Sequence, residues 1–283
     1  NTGSMKVNGA PSLDPELMEN QVIFEGDRLE PAFSYVPGQW GTIWLTAGST
    51  NHEFNYTTIK NSIVGILMDS NDGDRTLTLK NVQIFNTSST GLLARTGDVY
   101  GENVIINNSG QTSLSCSLGG RYNFIHSTFA NYWNNNFRLF PSVVIDNVLQ
   151  ISETEFKTKD WREANCINCI IYGNEARELI FVEDENAAFN FNFVNSLIRF
   201  DDPSGNYSDD PNYDFSNENL YLNIVRNQNP SFFNTNLNDF NIESEVSGAD
   251  GIADPAGAAL VPFDANEVSR LVPLPDAGAY QSI

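Results

Sequence analysis

"GENVIINNSGQTSL", residues 101–114, sets Asn103, Val104, Ile106 and Asn108 in an Asn-apolar-x-apolar-x-Asn pattern. Twenty-two residues earlier "KNVQIFNTSSTGL", residues 80–92, places Asn81, Val82, Ile84 and Asn86 in the same slots. Followed along the chain, the second apolar slot falls at Ile59, Ile84, Ile106, Phe129, Ile171 and Ile198, with steps of 25, 22, 23, 42 and 27 residues. The 42-residue step reads as two turns of 21 with Gln150 at the midpoint, behind Asn147 and Val148. Two residues before the slot stand Thr57, Val82, Val104, Ser127, Val148, Cys169 and Ser196, all small or β-branched. Three before it stand Asn81, Asn103, His126, Asn147, Asn168 and Asn195; two after it stand Asn61, Asn86, Asn108 and Asn131, then Gly173.

A period near 22 built from short alternating strands is the signature of a solenoid. Helical repeats are longer, and Asn and β-branched residues form poor helix interiors. Leucine-rich repeats share the period, but their Leu framework is missing. The pattern predicts an all-β fold: a right-handed, single-stranded parallel β-helix, each winding lying about 4.8 Å from the last. The repeated Ile then forms a core column. The repeated Asn forms a corner ladder, because Asn tolerates the left-handed backbone that a sharp corner demands and its amide both donates and accepts.

Composition agrees. The chain holds 37 Asn against 21 Leu, with 19 Phe. A formal net charge of −21 repels phosphate backbones and anionic bilayers, so nucleic acid is excluded as a natural partner. Three cysteines, Cys116, Cys166 and Cys169, make no disulfide framework, and "CINCII" reads better as core packing than as a redox or zinc motif. No run of eighteen apolar residues exists to span a membrane. One domain is expected over 1–283. A long acidic loop should leave the coil at 201–219, a strand-like pattern should resume at "NPSFFNTNLNDFNI", and an atypical closing segment should follow at 243–283 with room for one short helix. The opening "SMKVNGAP" already reads as strand then turn, so the natural precursor is expected to begin upstream.

Several stretches carry a further likeness: "VIFEGDRLEPAFSYVPGQWGTIWL" (22–45), "NYTTIKNSIVGILMDS" (55–70), "GLLARTGDVYGENVIINNSG" (91–110), "LGGRYNFIHSTFANYW" (118–133) and "PDAGAYQ" (275–281). In these the chain resembles a family of secreted right-handed parallel β-helix repeat proteins and lipoproteins of Bacteroidetes-type bacteria. The resemblance implies the same fold and a secreted, periplasmic or cell-surface location, with lipid anchoring through a segment upstream of this chain. It implies no activity and no catalytic residues, which stay unknown.

Three constellations could carry chemistry. "DSNDGDR" offers Asp69, Asp72 and Asp74 as oxygen ligands for Ca²⁺, against the simpler reading of a solvated acidic turn. Arg95, Arg121, Arg138 and Lys60 are the bases a polysaccharide lyase would need, and Arg95 and Arg121 occupy similar repeat positions that could share one face. The third set is aromatic. Trp40, Tyr132 and Trp133 are candidate sugar contacts, the latter two in an open turn before Phe137. Trp44 should face outward if Ile43 and Leu45 face inward, with coverage by another loop left open, and Trp161 lies in "KDWRE". His52 and His126 form no triad. The leading expectation is binding of a polysaccharide or cell-surface glycan along the stacked face, through Tyr132, Trp133, Trp40, Arg95 and Arg121. The alternatives are a polysaccharide lyase, a glycoside hydrolase or a purely structural adhesin.

Overall fold

The computed structural model describes residues 3–12, 14, 17–71, 73 and 75–282. It is a right-handed parallel β-helix of about seven turns, with one short α-helix, Pro255–Leu260, among the described residues. Each turn has three limbs. The strand Asp98–Ser109 shows how they arise. It runs inward-outward to Asn103, bends there at φ 50°, continues through Val104 and Ile106, and bends again at Asn108, φ 52°. The third limb, Leu114–Ser117, returns to the start of the next turn. First and second limbs stack into a thirteen-stranded sheet, and third limbs stack into a six-stranded sheet.

The core column follows the sequence slots. Ile59 pairs with Ile84, Ile84 with Ile106, Ile106 with Phe129, Phe129 with Ile171 and Ile171 with Ile198. All six are fully buried. Phe129 and Ile171 are direct neighbours, so the 42-residue step is one turn and not two. Gln150 lies in an antiparallel hairpin, Val148–Gln150 with Phe156–Thr158, which leaves the coil between a third limb and the next first limb. Its strands satisfy each other and so need no winding above or below.

The corner positions behave as Asn slots should. Asn81, Asn103, His126, Asn168 and Asn195 all have φ between 47° and 56°. Asn103 Nδ2 donates to Asn81 Oδ1 at 2.8 Å, and Asn168 Nδ2 meets His126 Nε2 at 2.9 Å. At the second corner Asn108 donates to Asn86 and Asn86 to Asn61. The first-corner ladder is broken between Asn103 and His126, where the closing part of the chain takes over. Asn103 also donates to Phe263 O and accepts from Arg270, while Asn168 both donates to Asp254 O and accepts from its N–H.

That closing part makes a second core. On the outer face of the second limb, Ile105, Ile170, Tyr172 and Leu197 are buried. The hairpin Phe232–Asn234 with Asp239–Ile242, together with Ala249, Ala277, Ala279 and Tyr280, covers them. Gly278 (φ 94°) crosses so close that a Cβ would come within 2.6 Å of Ile170 Cδ1. Segment 201–219 holds no strand and packs Tyr207, Tyr213 and Phe215 around Phe200 at the last turns, with Tyr213 stacked on Phe200 at 4.7 Å. The three cysteines are free and buried. No helix among the described residues is long and apolar enough to cross a membrane.

Two consequences can be measured. Ile106→Ala removes a fully buried side chain between Ile84 and Phe129 and should destabilise the fold by about 2–5 kcal/mol, read from urea unfolding. His126 is buried beside Arg270, and burial first, then that guanidinium, pushes its imidazole well below the usual range. The folded state therefore prefers neutral His126. Its contribution is intact above the unfolded pKa near 6.5 and is lost as pH falls below it, by up to about 1.4 kcal/mol per pH unit. His126→Asn, which restores the ladder residue, should remove that component. The difference between the two pH profiles isolates His126 from Asp264 and Asp276, whose carboxyls burial pushes up.

Candidate functional site

The third corner, where third limbs lead into the next first limbs, gathers the exposed chemistry. Trp44 sits between buried Ile43 and Leu45 and is 60 % exposed, pointing outward as strand alternation requires. Its indole Nε1 donates to Asp69 Oδ2 at 2.8 Å. The other carboxylate oxygen of Asp69 lies 3.8 Å from Arg95 Nη1. The next residue, Ser70, accepts from Lys159 Nζ at 3.3 Å. Trp44, Asp69, Arg95 and Lys159 thus form one contiguous surface drawn from four separate stretches of chain.

Lys159 belongs to the wall of a cleft of about 320 Å³, lined also by Thr96, Thr158, Asp160, Arg162, Asn186 and Ala187. Its floor is a left-handed residue, Thr96, whose Oγ1 donates to Leu118 O. Its walls are the hairpin after Asn147 and the loop 184–187. Asn147 ties them together. Its Nδ2 donates to Asp184 O at 2.9 Å and Ala187 O at 3.1 Å, and its Oδ1 accepts from Asp184 N at 2.7 Å. Asp160 Oδ1 accepts from Ala188 N, and Asp184 accepts from the backbone and side chain of Asn186, which holds its carboxyl below the usual range. Below the cleft, Asp146 accepts from Leu118 N and Ser117 Oγ; burial pushes its carboxyl up despite these bonds.

The outer face of the first limb adjoins the cleft. Arg121 reaches Asp98 at 3.4 Å and Glu163 at 3.1 Å, and Arg75 reaches Asp98 at 2.6 Å. Tyr100 lies under Arg75 and Lys80 and donates to Glu102 at 2.7 Å. Arginine, carboxylate and aromatic groups from successive turns therefore do meet on this flank, but as pairs that neutralise one another.

Of the residues nominated from sequence, Asp69, Arg95 and Arg121 come to this corner. Asp72 and Asp74 lie outside the described residues, and both oxygens of Asp69 face Trp44 and Arg95. Arg95 stands in the six-stranded sheet and Arg121 in the thirteen-stranded one, so they do not share a face as their similar repeat positions suggested. Three aromatics lie elsewhere. Trp40 is half-buried, its Nε1 on Lys60 O at 2.8 Å. Trp133 is only 5 % exposed, with Nε1 on Asn136 Oδ1, and is not the open ring its turn implied. Tyr132 is wedged against Phe232 and Phe240. The closing hairpin folds back over Tyr132, a contact about a hundred residues away in sequence. Phe137, 97 % exposed, is the open ring of that loop, while Arg138 beside it is buried in a bidentate pair with Glu178 at 2.6 and 2.8 Å. Trp161 is fully buried, stacked on Tyr122 at 4.8 Å.

Lys159 and Arg162 were missed by the motif reading. The signal was present in "KTKDWR", residues 157–162, which carries three of the chain's fifteen cations. No protein-family model matches the chain, and no curated protein or solved structure proved similar to it. What is shown of the expected likeness is the β-helix itself.

Asn147→Ala would remove three hydrogen bonds worth about 0.5–1.5 kcal/mol each. The amide of Asp184 should then exchange with deuterium at least about tenfold faster, while the core amides of Ile84 and Ile106 keep their protection. Equal exchange at Asp184 would show that Asn147 does not hold the wall.

Proposed function

We propose that the protein binds a glycan at its third corner, with the indole of Trp44 as the platform for a sugar ring. One observation carries this reading: a large aromatic ring stands open to solvent while its N–H is fixed on Asp69, so its faces are held in one orientation before any ligand arrives. A pyranose offers an apolar C–H face rimmed by hydroxyls. An oriented ring flanked by a carboxylate, a guanidinium and the hydroxyl of Ser70 complements both parts. Preorganisation lowers the entropy lost on binding.

Binding is favoured over catalysis because the candidate bases are engaged. Arg95 faces Asp69, and Arg121 is shared between Asp98 and Glu163. Fold-level analogy with polysaccharide-cleaving β-helices carries no weight against that geometry.

Titration calorimetry against a panel of oligosaccharides tests the proposal. Trp44→Ala should weaken binding at least about tenfold while leaving stability within about 0.5 kcal/mol, as for other surface positions. No binding across the panel, or equal binding by the variant, would remove the proposal. An ultraviolet-absorbing unsaturated product accumulating during incubation would replace it with a lyase.

A further inference from the structure

We infer that the glycan seated on Trp44 is an extended neutral polysaccharide, which runs on from the indole along an outward column of the six-stranded sheet. This rests on the glycan-binding reading of Trp44 and names the class of chain it takes.

The column follows from register. Trp44 pairs with Leu67, Leu67 with Leu93, Leu93 with Ser115, Ser115 with Val144 and Val144 with Ile180. In each strand the residues on either side of this position are buried, from Ile43 and Leu45 at one end to Leu179 and Phe181 at the other, so all six side chains point outward. Trp44 is exposed and the other five are half-buried. Consecutive third limbs lie about 4.8 Å apart, so the column runs down the coil for roughly 24 Å. The other two faces differ. The first-limb face carries Glu53, Lys80, Glu102, Arg121 and Glu163 in ion pairs, and the closing segment covers the second-limb face.

An extended chain of equatorially linked pyranoses is complementary to this surface. It advances by close to one strand spacing per sugar. Its rings present C–H faces that gain by leaving water, as the side chains of the column do. Ser115 offers a hydroxyl midway. Equivalent positions along the column hold such a chain without choosing its register, and the exposed indole at one end of the sheet chooses it.

Charge selects a neutral chain. A net charge of −21 repels a polyanion before it arrives. Beside the column the charges are already matched: Asp69 faces Arg95, and Asp146 accepts from Leu118 N and Ser117 Oγ. A carboxylate laid on the column would lose water against apolar side chains. The hydroxyls at the edge of a neutral sugar can donate to Asp69 and accept from Arg95.

The test uses the full chain and neutral oligosaccharides of one equatorially linked sugar, from disaccharide to octasaccharide, followed by calorimetry. Affinity should rise at least about tenfold, or about 1.4 kcal/mol, from disaccharide to hexasaccharide and then level off once the column is filled. Val144→Asp, toward the end of the column away from Trp44, should bring the hexasaccharide back to the affinity of the disaccharide. Val144→Thr, which keeps the β-branched shape, should lower the hexasaccharide severalfold. Trp44→Ala should weaken every length, and Asn123→Ala on the first-limb face should leave the gain intact. A hexasaccharide bearing uronate units should bind at least about tenfold more weakly than the neutral one. Equal affinity at all lengths would overturn the inference and leave the Trp44 reading standing. Equal or tighter binding of the uronate form would overturn the neutral assignment. Loss of the gain in Asn123→Ala but in neither Val144 variant would move the chain to another face and overturn the column. A dimer of the free protein that Val144→Asp dissociates would give the column to a second copy, which also overturns it. Absence of binding at every length would overturn both readings.

Discussion

Backbone hydrogen bonding between consecutive windings is the constraint on which everything else in this molecule depends. A strand inside the coil has no partner except the equivalent strand one turn before and one turn after, about 4.8 Å away. Each N–H and C=O must find its match there, because an unpaired buried backbone group is costly. Register is then set for every residue of the turn at once. Ile84 lies on Ile59 and under Ile106, and the same pairing places Val82 on Thr57 and under Val104. A change in length within a limb would throw all of these out of step. Length can vary only at corners, and the 42-residue turn takes its extra residues there.

Corners pose a separate problem, since three sharp bends per turn require backbone conformations that most residues avoid. Asn fills the first two corners in most turns because it reaches the left-handed region cheaply and its amide continues the vertical bonding. His126 in the same slot, and Tyr56 at φ 44° opposite Asn81, show that the corner requires the left-handed backbone and not Asn as such. The histidine also brings a titratable group into a buried position. It is tolerable because the closing segment covers the corner and the neutral ring pairs with Asn168. Arg270 is buried alongside, donating to Asn103 Oδ1 and Gly278 O. A charge so placed is worth keeping only if its partners are held in place, and Asp264 and Asp276, whose oxygens accept from Gln281 and Ser282, supply that surrounding network.

The legibility of this structure in its sequence divides along the same line. The column from Ile59 to Ile198 was readable because its determinants recur at a period, so repetition substitutes for contact information. Trp44 was half readable: alternation with Ile43 and Leu45 gave its direction, and only the fold could exclude a covering loop. The reading of Gln150 as a mid-turn slot failed because Asn147 and Val148 imitate the repeat by residue type while bonding as the root of a hairpin. The expected exposure of Tyr132 failed for a different reason. A turn rich in Asn is exposed by every local rule, but exposure is a property of what folds over it, and Phe232 and Phe240 arrive about a hundred residues later. Lys159 and Arg162 were visible as composition but came to line one cleft only when the loop 184–187 was brought opposite them.

A uniform coil explains why the candidate site is where it is. The limbs are too regular to be specific, since a slot that repeats every turn offers a ligand many equivalent positions. Specificity requires a break in the repeat, and the coil permits breaks only at corners. At the second corner the inserted loop commits Arg138 to Glu178 and turns Trp133 inward, leaving Phe137 exposed with no polar partner set beside it. At the first, the closing segment covers the ladder. The third corner is the one at which an insertion, the hairpin after Asn147, stands away from the coil and is braced by a single buried amide against a second loop. A rigid scaffold with a braced excursion places side chains more accurately than a free loop can. Trp44 supplies a flat surface beside it from the strand Ile43–Leu45, which stands at the end of the six-stranded sheet among the described residues. The two features come from opposite ends of the coil's regularity, its edge and its interruption, and they meet at Asp69, Ser70 and Lys159.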